Sequence, residues 1–313
     1  MKAKSLLKDL TLIQIIDRFA DDDTARQHLE AMLWPKGIVC PHCQCRDQSK
    51  FSSINPNPAA KTRAGLRWCS ICKKPFTVTI GTIFEDSKIP LRKWLIAWYL
   101  ICSSKKGISS LQLQRILELG SYRTALFVAH RIRHALAPVS HPEKLRGTVE
   151  IDETFLKTGA GDGRKKGVRV AVMAMVQRGG EARTKVLPTV SGANLKKAIR
   201  DNVKTGATVN TDSNLSYRML KGYYDHHAVN HGAGEFSRRE YGYLITTANV
   251  ESFFSLLKRG VVGTFHHVSA QHLPLYLAEF EHRHNYRKAS DGERTDAGLQ
   301  MAVGKRLLYK TAA

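Results

Sequence analysis

The chain has 313 residues, with 49 Lys and Arg against 27 Asp and Glu, a formal net charge of +22. That length allows two or three domains, one of them with a substantial core, and the dispersed positive excess favours a polyanionic partner, of which nucleic acid is the commonest. No apolar run is long enough for a membrane span. The opening MKAKSLLKDLTLIQIIDRF is interrupted by Asp9 and Asp17 and lacks a small-residue cleavage site, so it reads as an amphipathic helix of a cytoplasmic protein and not as a signal peptide. In that compartment the six cysteines are expected as thiols or metal ligands, not disulfides.

Residues 7–33 read as helical, with acidic residues in DDDTARQHLEAMLW opening a periodic segment that WPKG then breaks. Residues 38–80 are poor in helix signals and hold two pairs, CPHC (Cys40, Cys43) and CSIC (Cys69, Cys72). Each x-x knuckle lets two thiolates grip one ion, and four thiolates complete the tetrahedron that Zn²⁺ prefers. The polar NPNPAAKTRAG between the pairs can bulge out, and LRWCSICKKPF reads as the second hairpin of a zinc ribbon. Four sulfurs leave no open position, so the zinc is expected to be structural. His42 is a lesser candidate ligand, Cys45 is left over, and Cys102 falls in an apolar helix that begins after Pro90. ISSLQLQRILELG and SYRTALFVAHRIRHAL then resemble a helix-turn-helix, each with a Ser near its start. Its second helix offers Ser121, Tyr122, Arg123, His130, Arg131 and Arg133, residue types that contact phosphates and guanine edges. An ordinary helical hairpin with a basic outer face fits the same pattern.

TVEIDETFL (148–156) alternates as a half-buried strand does, with Val149, Ile151 and Phe155 on the apolar face and Glu150 and Asp152 on the other. GAGDGRKKG (159–167) lacks the ending of a P-loop and reads as a basic loop able to touch a DNA backbone. VRVAVMAMVQ (168–177) is an apolar strand, RGGE turns it, and ARTKVLPTV returns. NLKKAIRDNV is a short helix, GATVNTD a strand closing on Asp212, and NLSYRMLKG another short helix. In NVESFFSLLKRG (249–260), Val250, Phe253, Phe254 and Leu257 share one helix face, while Glu251, Ser255 and Lys258 share another. SAQHLPLYLAEFEHRHNYR is a last long helix. Strands and helices in this order predict an α/β domain with a mixed sheet.

Asp152, Asp212 and Glu251 come from three separate elements. Three such carboxylates can converge on two divalent ions ~3.5–4 Å apart, the arrangement that serves phosphoryl transfer, and Mg²⁺ suits an all-oxygen set. Each acid also has an ordinary structural reading. Asp152 would be a polar-face residue and Asp212 an N-cap. Glu251 would complement the helix dipole, with Lys258 at the other end and Gly260 stopping the helix.

VEIDETF, VNTDSN and the long run VESFFSLLKRGVVGTFHHVSAQHL followed by YLAEFEHRHNYR resemble the motifs of DDE transposases with an RNase H-like core. The last run is similar to the C-terminal signature of bacterial insertion-sequence transposases with an N-terminal zinc ribbon, the ISXO-like group, and the resemblance extends over almost the whole chain. It implies an α/β fold: an RNase H-like mixed sheet with flanking helices, preceded by a small zinc ribbon and a helix-turn-helix-like region. The implied division is a helical segment 1–36, a ribbon 37–84, a helical DNA-binding region 85–146, a catalytic domain 147–290 and a tail 291–313. Carried over by position, Asp152, Asp212 and Glu251 would hold Mg²⁺ or Mn²⁺. Lys258, with Arg259 beside it, would meet DNA near the cut; Arg123 and Arg131 are the DNA contacts expected from the helix-turn-helix reading. The implied activity is binding of terminal inverted repeats, metal-dependent end cleavage and strand transfer into target DNA, with self-association on double-stranded DNA, nucleoid association when bound, and no membrane partner. Relatives often carry a His-Thr-Asn-Thr-like run before the Glu. Here the run is TTAN, with Ala248 where that Asn is expected and Asn249 one later. Two readings of the third ligand follow: Glu251 alone, or Glu251 with Asn249. Alternatives to a transposase are a zinc-ribbon DNA-binding regulator with an inactive core and a structure-specific nuclease of the same fold.

Overall fold

The computed structural model describes residues 5–57, 59, 62–159 and 168–306, so the basic loop GAGDGRKKG lies, from residue 160 on, outside the described residues. In chain order the elements are α1 (Leu12–Arg18), α2 (Asp22–Leu33), β1 (Phe51–Ser53), β2 (Arg67–Cys69), β3 (Lys74–Phe76), α3 (Leu91–Ser103), α4 (Ser110–Ile116), α5 (Tyr122–Leu136), β4 (Thr148–Thr158), β5 (Val168–Gln177), β6 (Ala182–Leu187), α6 (Gly192–Asn202), β7 (Thr208–Asp212), β8 (Asp225–Val229), β9 (Ser237–Glu240), β10 (Tyr243–Thr246), α7 (Ala248–Gly260), α8 (Leu273–Asn285) and α9 (Asp291–Gln300). They form two compact units, one of Met1–Ser104, Ile108–Leu136 and Lys288–Ala313, the other of Lys105–Gly107 and Ala137–Arg287.

In the first unit the helix expected over 7–33 is two helices. Thr11 with Gln14, and Asp21 with Thr24, each build a capping box, and the second box restarts the helix at Asp22. Every residue of α3 from Trp94 to Cys102 is buried, as befits the central helix of a helical core. The segment from 291, expected as a tail, is instead α9, capped by Ser290 and Glu293 and packed on α3. Its Arg294 Nη1 donates to the Cys102 carbonyl at 3.0 Å. At Gly292 of α9 a Cβ would stand 1.7 Å from the Leu7 carbonyl oxygen, so only glycine fits. Arg131 corrects another expectation. It is 5 % exposed, its guanidinium lies 5.0 Å from the Phe127 ring and 5.8 Å from the Trp94 ring, and it donates to the Glu85 carbonyl at 3.0 Å. Burial lowers its pKa. It holds the helical core together and is not displayed to DNA. His130 and Arg133 are buried with it, whereas Ser121, Tyr122 and Arg123 at the start of α5 are exposed.

In the second unit five strands run in the order β6-β5-β4-β7-β8. β4–β5 and β5–β6 are antiparallel, β4–β7 and β7–β8 parallel. Counted within the unit this is the order 3-2-1-4-5, the RNase H-like mixed sheet expected from the sequence. One face packs Val149, Ile151, Met173, Met175 and Val209 against Leu195 and Ile199 of α6 and against Tyr217. The other packs Leu156, Val172, Ala174 and Val176 against Val250, Phe253, Phe254 and Leu257 of α7 and Phe280 of α8. β4 is therefore covered on both faces over most of its length, and the half-buried reading fails at Phe155, which is 52 % exposed. Gly260 does not stop α7 either. The backbone continues as a π turn, Val261–Phe265, and a Cβ on Gly260 would stand 2.4 Å from the Phe280 ring and 2.8 Å from the Lys106 carbonyl. It is there to let α8 approach.

Candidate active site

The four sulfurs of Cys40, Cys43, Cys69 and Cys72 all lie within 4.8 Å of one another. Cys40 and Cys72, and Cys43 and Cys69, have their sulfurs 3.7 Å apart, far beyond a disulfide. A tetrahedron with ~2.3 Å metal–sulfur bonds has edges of about 3.8 Å, so the donor set fits one zinc ion. The two knuckles fold alike. Gln44 (φ 61°) and Lys73 (φ 53°) follow the second cysteine of each pair, and their amides donate to the carbonyls of Cys40 and Cys69 at 2.9 Å. Backbone N–H groups of Cys72 and Ile71 aim at the Cys69 sulfur and bring its pKa down to about 7, while burial among the other sulfurs pushes Cys72 up to about 12. His42 turns away, its Nε2 3.3 Å from the Pro75 carbonyl. Cys45 packs at the ribbon core and Cys102 is buried in α3.

In the second unit β4 and β7 run parallel with Glu150 opposite Asn210. The pairing ends there, and Asp152 and Asp212 each stand two residues beyond its last pair, on the same side of the two strands' paired stretch. Asp152 is pushed up to about 6, first by burial and then by the charges of Asp212 and Glu251. The third acid comes from α7. Among the described residues, the cysteines are the group of three or more potential ligands that crowd within 4.8 Å; Asp152, Asp212 and Glu251 do not all meet that distance. Two ions ~3.5–4 Å apart, each with oxygen ligands at ~2.0–2.1 Å, need a wider set than one sphere. In charge the acids suit such ions, since like charges that raise the Asp152 pKa are what a cation relieves.

Three supports for these acids escaped sequence reading. Glu150 is fully buried. Its carboxylate accepts the Asn249 backbone N–H at 2.7 Å, the Asn249 Nδ2 at 2.7 Å and Arg178 Nη2 at 2.9 Å. It therefore caps α7, whose own N-cap residue, Thr247, makes no side-chain cap. Asn249 gives this contact its backbone N–H and Nδ2 and not its Oδ1, the atom a cation would take, and Glu251 is the acid in the first turn of α7. Second, Thr247 Oγ1 donates to Glu251 Oε1 at 2.6 Å, and His231 Nε2 stands 3.0 Å from Thr247 Oγ1 and 3.1 Å from Glu251 Oε1. Third, Tyr217 donates its hydroxyl to Glu153 Oε1 at 2.6 Å. Burial pushes Glu153 up to about 7, with Asp152 and Asp212 adding to the rise. Glu150 and Glu153 were legible only as acids flanking Asp152; that one is buried as a cap and the other paired with a tyrosine depends on the helices laid over the strand.

Lys258 and Arg259 are exposed on α7. Lys258 is seven residues beyond Glu251 on the same face, about 10 Å along the axis. Arg259 Nε donates to the Ser255 carbonyl at 3.2 Å.

Comparison with known proteins bears on both units. Residues 144–285 match the family described as ISXO2-like transposase domain, and residues 20–75 match the family described as transposase zinc-ribbon domain. A Halobacterium salinarum protein described as an uncharacterized protein in transposable element ISH50 is 27 % identical over 310 residues, 92 % of this chain and 99 % of that protein. Among solved structures, a chain of the simian T-cell lymphotropic virus intasome in complex with PP2A regulatory subunit B56 gamma is matched at a TM-score of 0.28 and 15 % identity, over 52 % of this chain and 63 % of that one, a likeness too slight to bear on function.

Proposed function

The chain belongs to the ISXO2-like transposases with an N-terminal zinc ribbon, and on that premise we propose that it binds the terminal inverted repeats of an insertion sequence, cleaves the DNA at the ends and joins them to target DNA. The observation that carries this reading is the gathering of acids at Asp152, whose carboxyl is held near 6 by burial and by the charges of Asp212 and Glu251. Asp152, Asp212 and Glu251 would hold Mg²⁺ or Mn²⁺. Divalent ions there would activate an attacking oxygen and stabilise a leaving one.

The remaining work falls to the chain's own groups. Glu150 fixes the start of α7 to β4, so that Glu251 and Asp152 keep a constant relation. Thr247 and His231 hold one oxygen of Glu251, Oε1, and leave Oε2 out of that contact. Lys258, with Arg259 beside it, neutralises phosphate near the cut, and exposed Arg123 adds a contact from α5. The ribbon cysteines hold a structural Zn²⁺. Two ends must be brought together, so the chain works as a multimer on double-stranded DNA, and bound chains reside with the nucleoid. Among the described residues no helix is long and apolar enough to cross a membrane.

The test is end cleavage and strand transfer with duplexes carrying the inverted repeat, for wild type, Asp152→Ala and Asp212→Ala. Wild type should cut with Mg²⁺ and join pre-cleaved ends to a target, and both variants should bind as before but do neither. Full activity in both variants would sink the reading. Binding without cutting in wild type would mark a regulator, and cutting without joining a nuclease.

A further inference from the structure

The hairpin β9–β10, unforeseen in the reading of the sequence, runs directly into Thr247 and α7. Its strands pair Glu240 with Tyr243, Arg239 with Leu244, Arg238 with Ile245 and Ser237 with Thr246, closed by the two-residue turn Tyr241–Gly242. Both turn residues have positive φ, 48° for Tyr241 and 83° for Gly242. A two-residue turn of this kind is best served by Asn-Gly, and a bulky aromatic residue there is strained. Tyr241 is also 93 % exposed, with Tyr243 beside the turn 67 % exposed. A costly backbone that displays a ring to solvent points to a use for the ring.

The base of the hairpin is tied to the elements that carry the acids. Arg178, which also holds Glu150, donates to the Leu244 carbonyl at 2.9 Å. Asn210, two residues before Asp212, donates to the Thr246 carbonyl at 3.2 Å. The tip is thus held at a set distance from the candidate cleavage site. Five residues of extended chain from Thr246 to Tyr241 span at most about 17 Å, or about five nucleotides of one DNA strand. The occupant is a nucleobase on two grounds. The chain carries a net charge of +22, and the hairpin face beside the tip carries exposed Arg239. Aromatic rings stack on any base, which has to leave the duplex to meet them.

We propose that this hairpin is a base-stacking probe, in which Tyr241 stacks on a nucleobase displaced from the duplex within about five nucleotides of the cut. The proposal rests on the DNA-cleaving reading above. It is tested with the full zinc-loaded chain and duplexes ending in the inverted repeat that flanks its coding sequence. Each duplex carries 2-aminopurine at one of the positions nearest the cut. Wild type should raise the fluorescence at one or two positions when bound. Tyr241→Asn, which suits the turn and keeps the hairpin folded, should abolish that rise and slow end cleavage about tenfold, the size of one stack. Its affinity should change less, since phosphate contacts dominate binding. Tyr241→Trp should restore the signal. Wild type that binds and cuts without a rise at any position would overturn the stacking role and leave the cleavage reading intact. An equal rise with Tyr241→Asn would do the same. So would a change in the oligomeric state of the free chain with the fluorescence unaltered, which would make the tip a contact between copies. Wild type that neither binds nor cuts would overturn both readings.

Discussion

Glu150→Ala is the most informative perturbation of the scaffold. The carboxylate is fully buried and accepts from Arg178, from the Asn249 backbone and side chain, and from the Val250 backbone N–H at 3.4 Å. Removing one partner of a buried charge pair costs about 3–5 kcal/mol. Arg178 is 32 % exposed and can rehydrate, so the low end applies. The Val250 N–H is buried and the Asn249 donors lose a shared acceptor, so the expected loss is about 3 kcal/mol. For a unit of this size that lowers the melting temperature by about 9 °C. Glu150→Gln keeps one acceptor and should lose about 2 kcal/mol. The assay is urea unfolding together with amide hydrogen exchange. Exchange should quicken at Asn249–Phe253 beyond its change elsewhere in the unit. A loss below about 1 kcal/mol, the size of an ordinary hydrogen bond, or unchanged exchange at the start of α7, would refute the capping argument.

Other outcomes follow from the same geometry. Asp152 has a folded-state pKa of about 6 against an ordinary 3.8, so the folded chain holds a proton that the unfolded chain releases. Stability therefore falls as pH rises across that window and stays reduced above it. In metal-free urea unfolding Asp152→Asn should flatten this fall and unfold later than wild type at pH 8, whereas Mn²⁺ should stabilise wild type and not the variant; an unchanged pH profile would contradict the site. One zinc ion per chain should be released by a thiol-blocking reagent and absent from Cys72→Ala, measured with a colorimetric zinc indicator, with loss of ribbon structure. Arg131→Ala should destabilise the first unit without a change in the salt slope of DNA binding, while Arg123→Ala should do the reverse; a DNA-binding defect confined to Arg131→Ala would restore the surface role that its burial denies.

Local patterns carried a large part of the fold. The two Cys-x-x-Cys pairs specified the sulfur tetrahedron, because a knuckle is a turn set by adjacent residues. VRVAVMAMVQ, GATVNTD and the apolar set of α7 gave strand and helix by period alone. Asp152, Asp212 and Glu251 stood out as acids at element positions that a shared cleft can use. What the sequence left hidden depends on contacts between distant segments. β8 and β9 have largely polar sequences and β10 only four residues, so their pairing comes from the neighbouring strand and not from their own alternation.

The side of a residue that meets the core was also beyond reach. Arg131 and Glu150 look like surface charges in sequence. They are buried because Trp94 and Phe127 close over one and the start of α7 docks on the other. Residue type and spacing by themselves determined the chemistry this chain can offer: four thiols, three acids and an excess of cations. Tertiary structure decided which charges serve it, since a charge acts on a partner only where packing leaves it exposed, and one packed inside must be matched within the fold.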